Sequence, residues 1–63
     1  MTPKEVRSRR LALGMSVDDL ARELGLPAST VREIENGERP MTSPVLFDQT
    51  FKRLERAEPE DGV

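Results

Sequence analysis

The chain has 63 residues, contains no cysteine and no histidine, and carries a net charge of −2 at pH 7. A chain of this length forms one domain with a small core, so a roomy active-site cleft is not expected. Without cysteine and histidine it also lacks disulfides, thiolate metal ligands and the commonest general base, so we expect no enzyme, no metal or other cofactor, and no small-molecule ligand.

The first predicted helix runs from about Pro3 to Leu13. Thr2 is suited to cap it, and proline is favoured at the first helical position. Val6, Arg10 and Leu13 fall on one face of this helix, which places a charged residue among apolar ones. Because burying an unpaired charge is costly, Arg10 needs a partner elsewhere in the chain.

The stretch from Ser16 to Gly37 reads as two short amphipathic helices that meet at Gly25. Ser16 and Asp19 have the spacing of a capping box, and glycine readily takes the left-handed conformation that a sharp turn requires. The inward positions of the two helices are apolar: Leu20, Ala21, Leu24, Val31 and Ile34. The outward positions of the second are Ala28, Ser29, Arg32 and Glu33. This pattern predicts a helix-turn-helix; a plain helical hairpin in a bundle is the alternative.

A fourth helix is predicted to start at Ser43 and Pro44, with Ser43 as the cap. Its apolar stripe is Leu46, Phe47, Thr50, Phe51 and Leu54. We therefore expect a helical domain over residues 1–54. Residues 55–63, which contain four acidic residues, are expected to form a flexible tail.

The distribution of charge matters more than the negative total. Residues 1–54 carry nine basic against eight acidic residues, so the excess of acid lies in the predicted tail. Basic residues crowd the N-terminus, and Arg32 and Arg39 bracket the second helix of the pair. Because binding depends on the local field, nucleic acid remains a plausible partner, although non-specific binding should be weak.

From Val6 to Pro40 the sequence VRSRRLALGMSVDDLARELGLPASTVREIENGERP resembles the lambda-repressor-like, Cro/C1-type helix-turn-helix proteins of the XRE family. It has their R-x-x-x-G-hydrophobic-S, L-A-x-x-L-G-hydrophobic and ST-hydrophobic-x-x-IE-x-G segments in register. The resemblance implies a compact all-α domain of four or five helices. It also implies that the third helix lies in the major groove of double-stranded DNA.

The resemblance also assigns roles to individual residues. It pairs Arg10 with Glu35, two separate surface charges being the alternative, and places Arg10 near the DNA backbone. The implied base-reading residues are Ala28, Ser29, Arg32 and Glu33. Arg32 could instead contact a phosphate, and Glu33 could either accept from a cytosine amine or hold Arg32 in place.

Thr30 is expected near the DNA backbone or a base methyl group. Further backbone contacts are expected from helix ends and the following loop, where N–H groups and arginine favour anions. These positions are Ser16, Val17, Asn36 and Arg39. Val17 departs from the family, in which glutamine is common at this place, so only its backbone N–H can contribute.

Members of the family usually bind as symmetric dimers. We expect a homodimer with Phe47, Phe51 or Leu54 at the interface, the alternative being that these residues close the core of the monomer. Many relatives form this interface with a fifth helix, whereas only a short acidic tail follows the fourth helix here.

The sequence thus predicts a sequence-specific transcriptional regulator, most simply a repressor of its own phage, plasmid or compact bacterial operon. The alternative is an antitoxin-like or other protein-interaction module on the same fold. No apolar run approaches the ~20 residues of a membrane span, so we expect no membrane association and a cytoplasmic location in a bacterial cell.

Overall fold

The computed structural model describes residues 1–41 and 43–57, which form four helices and no strand. The helices are α1 (Pro3–Ala12), α2 (Val17–Leu24), α3 (Ala28–Glu35) and α4 (Pro44–Ala57). α2 packs against α3, α1 packs against α3 and α4, and α4 packs against α2. The predicted all-α class is confirmed, and α2, the turn and α3 form the helix-turn-helix.

Helices α1 and α2 begin at the predicted caps, Thr2 and Ser16. The Thr2 side chain accepts a hydrogen bond from the Glu5 N–H at 3.1 Å. At the start of α2 the Ser16 hydroxyl accepts from the Asp19 N–H at 3.0 Å, and the Asp19 carboxylate accepts from the Ser16 N–H at 3.1 Å. This reciprocal capping box satisfies two backbone donors that a helix start otherwise leaves without partners.

The turn between α2 and α3 depends on Gly25, whose φ is 76°. The Leu26 N–H donates to the Ala21 carbonyl at 3.0 Å and closes the end of α2. Pro27 then precedes α3 with an extended backbone, and Leu26 packs against the core although it lies in a turn. The sharp change of direction is therefore fixed by a left-handed glycine on one side and a proline on the other.

The core consists of apolar residues from all four helices: Val6, Leu20, Ala21, Leu24, Val31, Ile34, Phe47 and Phe51. The structure corrects the expectation that Phe47 and Phe51 lie at a dimer interface. Their side chains are 1% and 0% exposed, so they fill the interior of the monomer and have no surface to present to a second chain. Leu54 is only partly buried and packs at the edge of this core.

Helix α4 continues to Ala57, past the start of the tail predicted from Glu55. The Glu55 carboxylate accepts two hydrogen bonds from the Arg9 guanidinium, both at 3.0 Å. Arg9 also donates to Asp48 at 3.2 Å, and its guanidinium lies 4.7 Å from the centre of the Phe51 ring. The end of α4 is thereby fastened to α1; residues 58–63 of the predicted tail lie outside the described residues.

Candidate nucleic-acid interface

Helix α3 buries one side and exposes the other. Val31 and Ile34 are 0% and 1% exposed and anchor the helix on the core. Ser29 and Arg32 point away from this buried side and are exposed. A helix held in this way by its apolar side presents a fixed row of short and long polar side chains to solvent.

Arg10 and Glu35, which the resemblance pairs, form an ion pair between α1 and α3. The Arg10 Nε donates to Glu35 Oε2 at 2.8 Å and Nη2 donates to Oε1 at 2.9 Å, while Nη1 donates to the Met15 carbonyl at 2.9 Å. The hydrogen bond to Glu35 raises the pKa of Arg10, so the guanidinium stays charged despite burial. The two side chains are 10% and 6% exposed.

This arrangement corrects the place given to Arg10 among the DNA-backbone contacts. Its guanidinium nitrogens are engaged by Glu35 and the Met15 carbonyl, and its side chain is turned into the protein. Arg10 therefore fixes the end of α3 relative to α1.

The remaining predicted contacts on α3 differ in exposure. Ala28 and Thr30 are half-buried, and Ala28 packs in part against the core. Asn36 is exposed at the end of the helix. Within residues 1–41 and 43–57, no acidic side chain lies within 4.0 Å of the Arg32 guanidinium, so this exposed cation is available to an external acceptor.

Glu33 does not hold Arg32. Its Oε1 accepts instead from the Nε of Arg39 at 2.8 Å, and Nη2 of Arg39 lies at 2.8 Å from the same oxygen. This pair is not predicted from the sequence, because Arg39 lies beyond the end of α3, where helical spacing no longer relates two residues. A signal was present in the glycine at position 37, which predicts a reversal of the chain between the two charges.

That reversal is a Schellman turn. Gly37 has a φ of 77°, its N–H donates to the Ile34 carbonyl at 3.1 Å, and the Glu38 N–H donates to the Glu33 carbonyl at 2.8 Å. The loop after α3 is therefore folded back on the last turn of the helix, which brings Arg39 alongside Glu33.

The start of α2 is less suited to binding a phosphate than its sequence predicts. The Ser16 N–H is already bound by the Asp19 carboxylate, and Asp18 adds a second negative charge to the first turn. The hydrogen bond from the Ser16 backbone lowers the pKa of Asp19, so this carboxylate stays ionised at neutral pH. Val17 is half-buried against the core. A backbone contact from Ser16 would therefore have to come from its exposed hydroxyl, because its N–H is occupied within the protein.

The start of α3 contrasts with that of α2. It has no side-chain cap and no acidic residue in its first turn. Among the described residues the Ala28 and Ser29 N–H groups donate no hydrogen bond. These free donors add to the positive end of the helix dipole, so the start of α3 favours contact with electronegative groups.

Two short helices joined by a tight glycine turn, the second held by its apolar side and exposed along a polar side, define a helix-turn-helix domain. A family model described as helix-turn-helix matches residues 6–48, and the chain belongs to this family, the Cro/C1-type helix-turn-helix proteins. It is a family of DNA-binding regulators rather than enzymes. No curated protein and no solved structure is significantly similar to the chain.

The described helices also bear on membrane insertion. None of the helices within residues 1–41 and 43–57 has the length and apolar character needed to cross a bilayer.

Proposed function

We propose that this protein is a sequence-specific transcriptional regulator that binds a pseudo-palindromic operator in double-stranded DNA as a homodimer, with α3 in the major groove. Its simplest role is that of a repressor of its own phage, plasmid or compact bacterial operon, acting in the cytoplasm. Membership of the family supports DNA binding by a helix-turn-helix regulator. The operator, the dimer and the repression are what we propose beyond it.

The observation that carries the proposal is the exposed side of α3. Arg32 and Ser29 are open to solvent on a helix that is otherwise anchored in the core, and the start of that helix has free backbone donors. The major groove of B-DNA is wide enough for an α-helix and presents a distinct pattern of donors and acceptors for each base pair.

Four side chains on α3 are assigned to base reading. Arg32 can donate two hydrogen bonds to O6 and N7 of guanine, and Glu33 can accept from an exocyclic amine. Ala28 can contact a thymine methyl group, and Ser29 can donate or accept. Thr30 and Asn36 are assigned to the backbone, where polar groups fix the position of the helix on the duplex without reading sequence.

The homodimer follows from the small reading surface. Four side chains give limited specificity, and two copies of a helix-turn-helix on half-sites about 34 Å apart double the number of base contacts. With Phe47 and Phe51 enclosed in the monomer, Leu54 is the one residue of the expected interface that keeps accessible surface. Exposed apolar residues elsewhere on α4 are Val45 and Leu46, at 65% and 37% exposure.

The test is a binding measurement on the DNA upstream of the protein's own reading frame. In nuclease footprinting the protein should protect a segment with pseudo-twofold symmetry. In fluorescence anisotropy it should bind this segment more tightly than a scrambled duplex of the same length. Sedimentation equilibrium with and without the duplex gives the number of chains bound. Equal affinity for the protected and scrambled duplexes contradicts a sequence-specific regulator, and one chain per duplex contradicts the dimer.

A further inference from the structure

The contact between Glu33 and Arg39 joins a residue assigned to base reading and a residue predicted to contact the DNA backbone. Arg39 approaches Glu33 with both Nε and Nη2 on a single oxygen, Oε1, at 2.8 Å each. Within residues 1–41 and 43–57 no donor forms a hydrogen bond with the other oxygen, Oε2. The Glu33 side chain is 39% exposed, so this second oxygen belongs to a carboxylate that solvent can reach.

The pairing changes what a carboxylate can do beside DNA. An isolated negative charge on a reading helix is repelled by the phosphates, and this repulsion acts against any contact to a base. A guanidinium bound to Oε1 offsets the charge and restrains this oxygen, which leaves Oε2 as the accessible acceptor. The contacts at the Schellman turn, through Gly37 and Glu38, fix the backbone from which Arg39 extends.

The free oxygen can only accept, and this restricts the base that it suits. In the major groove the exocyclic amines of cytosine and adenine are the available donors. Adenine also presents its N7 acceptor, which a carboxylate cannot satisfy, whereas cytosine presents the amine alone. The geometry at Glu33 therefore favours cytosine.

We propose that Glu33 and Arg39 form one reading unit, in which Oε2 of Glu33 accepts a hydrogen bond from the N4 amine of a cytosine and Arg39 is a positioning residue for Glu33. This inference rests on the proposed function, since it concerns the same interface with DNA. It gives Arg39 a role in specificity that differs from the phosphate contact predicted from the sequence.

The experiment is a selection of bound duplexes from a randomised pool, followed by affinity measurements on single-base variants of the selected site. Wild-type protein should select a C·G pair at one position and lose about tenfold in affinity when that pair is replaced. Glu33→Gln should shift the preference at this position to adenine, whose N6 and N7 suit an amide. Arg39→Ala should flatten the preference at the same position and leave the other positions unchanged.

The double variant separates positioning from direct contact. If Arg39 acts through Glu33, Arg39→Ala introduced into Glu33→Gln should leave discrimination at this position unchanged, because the group that it positions is already gone. If Arg39 instead contacts a phosphate, Arg39→Ala weakens binding to all sequences alike and lowers the salt slope by about one in either background, which overturns the proposal.

The chain offers a matched control in Arg53 and Glu23, an ion pair between α4 and α2 at 3.3 Å. Its side chains are 56% and 39% exposed, close to the 49% and 39% of Arg39 and Glu33. Arg53→Ala and Glu23→Gln make the same changes in charge and should leave every base preference unaltered. Thermal unfolding of each variant shows that the compared proteins are folded.

The outcomes distinguish the two proposals. Wild-type protein that selects no sequence contradicts the proposed function and the reading unit with it. Wild-type protein that selects a site, together with a Glu33→Gln variant that selects the same site, overturns the reading unit alone. A shift of preference confined to one position, produced by Glu33→Gln and weakened by Arg39→Ala, supports it.

Discussion

Arg10 in α1 and Glu35 in α3 are joined by two hydrogen bonds of 2.8 and 2.9 Å across a separation of 25 residues. The pair is almost enclosed, and the third guanidinium nitrogen is satisfied by the Met15 carbonyl in the turn between α1 and α2. It therefore connects the last turn of α3 to α1. The position of α3 depends on this contact as well as on apolar packing.

Glu35→Ala should lower the free energy of unfolding by about 3–5 kcal/mol, because it leaves the Arg10 charge buried without its partner. In a domain of this size such a loss is a large part of the total stability. Urea unfolding followed by circular dichroism gives the value directly.

The control replaces both members of the pair. An Arg10→Met, Glu35→Met double variant keeps apolar volume at the site and removes both charges, so it should be more stable than Glu35→Ala alone. An unchanged melting temperature for Glu35→Ala would show that the contact contributes nothing to stability.

The fold was open to prediction from the sequence because its determinants are local. Thr2 and Ser16 are caps, Gly25 ends a helix, and the apolar residues of the first three helices recur at helical spacing. Each of these features acts over a few residues, so it can be read without knowing the rest of the structure. The predicted end of α1 at Leu13 and the predicted limits of α2 at Ser16 and Gly25 accordingly lie within one residue of those observed.

The candidate site was less open to prediction, because its contacts cross between elements. Phe47 and Phe51 form an apolar stripe that is compatible with a dimer interface or with the core, and only packing against the other helices places them inside. The Glu33 contact with Arg39 requires the turn at Gly37, and the Arg9 contact with Glu55 requires α4 to extend beyond residue 54. Helical spacing carries no information about either of these two ion pairs.

Gly25→Ala should destabilise the protein by about 1–2 kcal/mol, because a residue with a Cβ disfavours the left-handed backbone at φ 76°. Apart from Gly25 and its two chain neighbours, no atom of residues 1–41 and 43–57 lies within 4 Å of the position that a Cβ would take, so the cost comes from the backbone and not from crowding. Thermal unfolding at neutral pH measures it.

Asparagine tolerates this conformation better than alanine does, so Gly25→Asn should retain more stability than Gly25→Ala. Equal destabilisation by the two substitutions would contradict an origin in backbone strain.

The carboxylates that fasten α4 to α1 make stability depend on pH in the acid range. Hydrogen bonds from the Arg9 guanidinium lower the pKa of Asp48 and of Glu55 below their ordinary values. A carboxylate with a depressed pKa in the folded state contributes stability that is present above its unfolded pKa and is lost as the pH falls through its folded pKa. The melting temperature should therefore fall progressively below about pH 5.

Glu55→Gln is the variant that checks this assignment. It removes one of the titrating groups, so the melting temperature should be lower than that of the wild type at pH 7 and the difference should narrow towards acid pH. The Asp48 and Glu55 side chains are about two-fifths exposed, and solvent therefore screens their contribution to stability. Parallel melting curves for the two proteins across this range of pH would exclude Glu55 as a source of the acid sensitivity.

Arg32→Ala separates base reading from phosphate contact at the centre of the proposed interface. Arg32 is exposed and lies on the solvent side of α3, opposite the buried Val31 and Ile34. If its guanidinium donates to O6 and N7 of a guanine, the variant should lose about 1–3 kcal/mol of discrimination at one G·C pair and bind the substituted site nearly as well as the original. Anisotropy titrations on single-base variants, repeated at several salt concentrations, measure this loss of discrimination.

Arg22→Ala removes a 74% exposed arginine from α2 and serves as the control for lost charge. A uniform loss of affinity across all duplexes, with a shallower salt slope, would assign Arg32 to a phosphate instead, because a backbone contact carries no information about sequence.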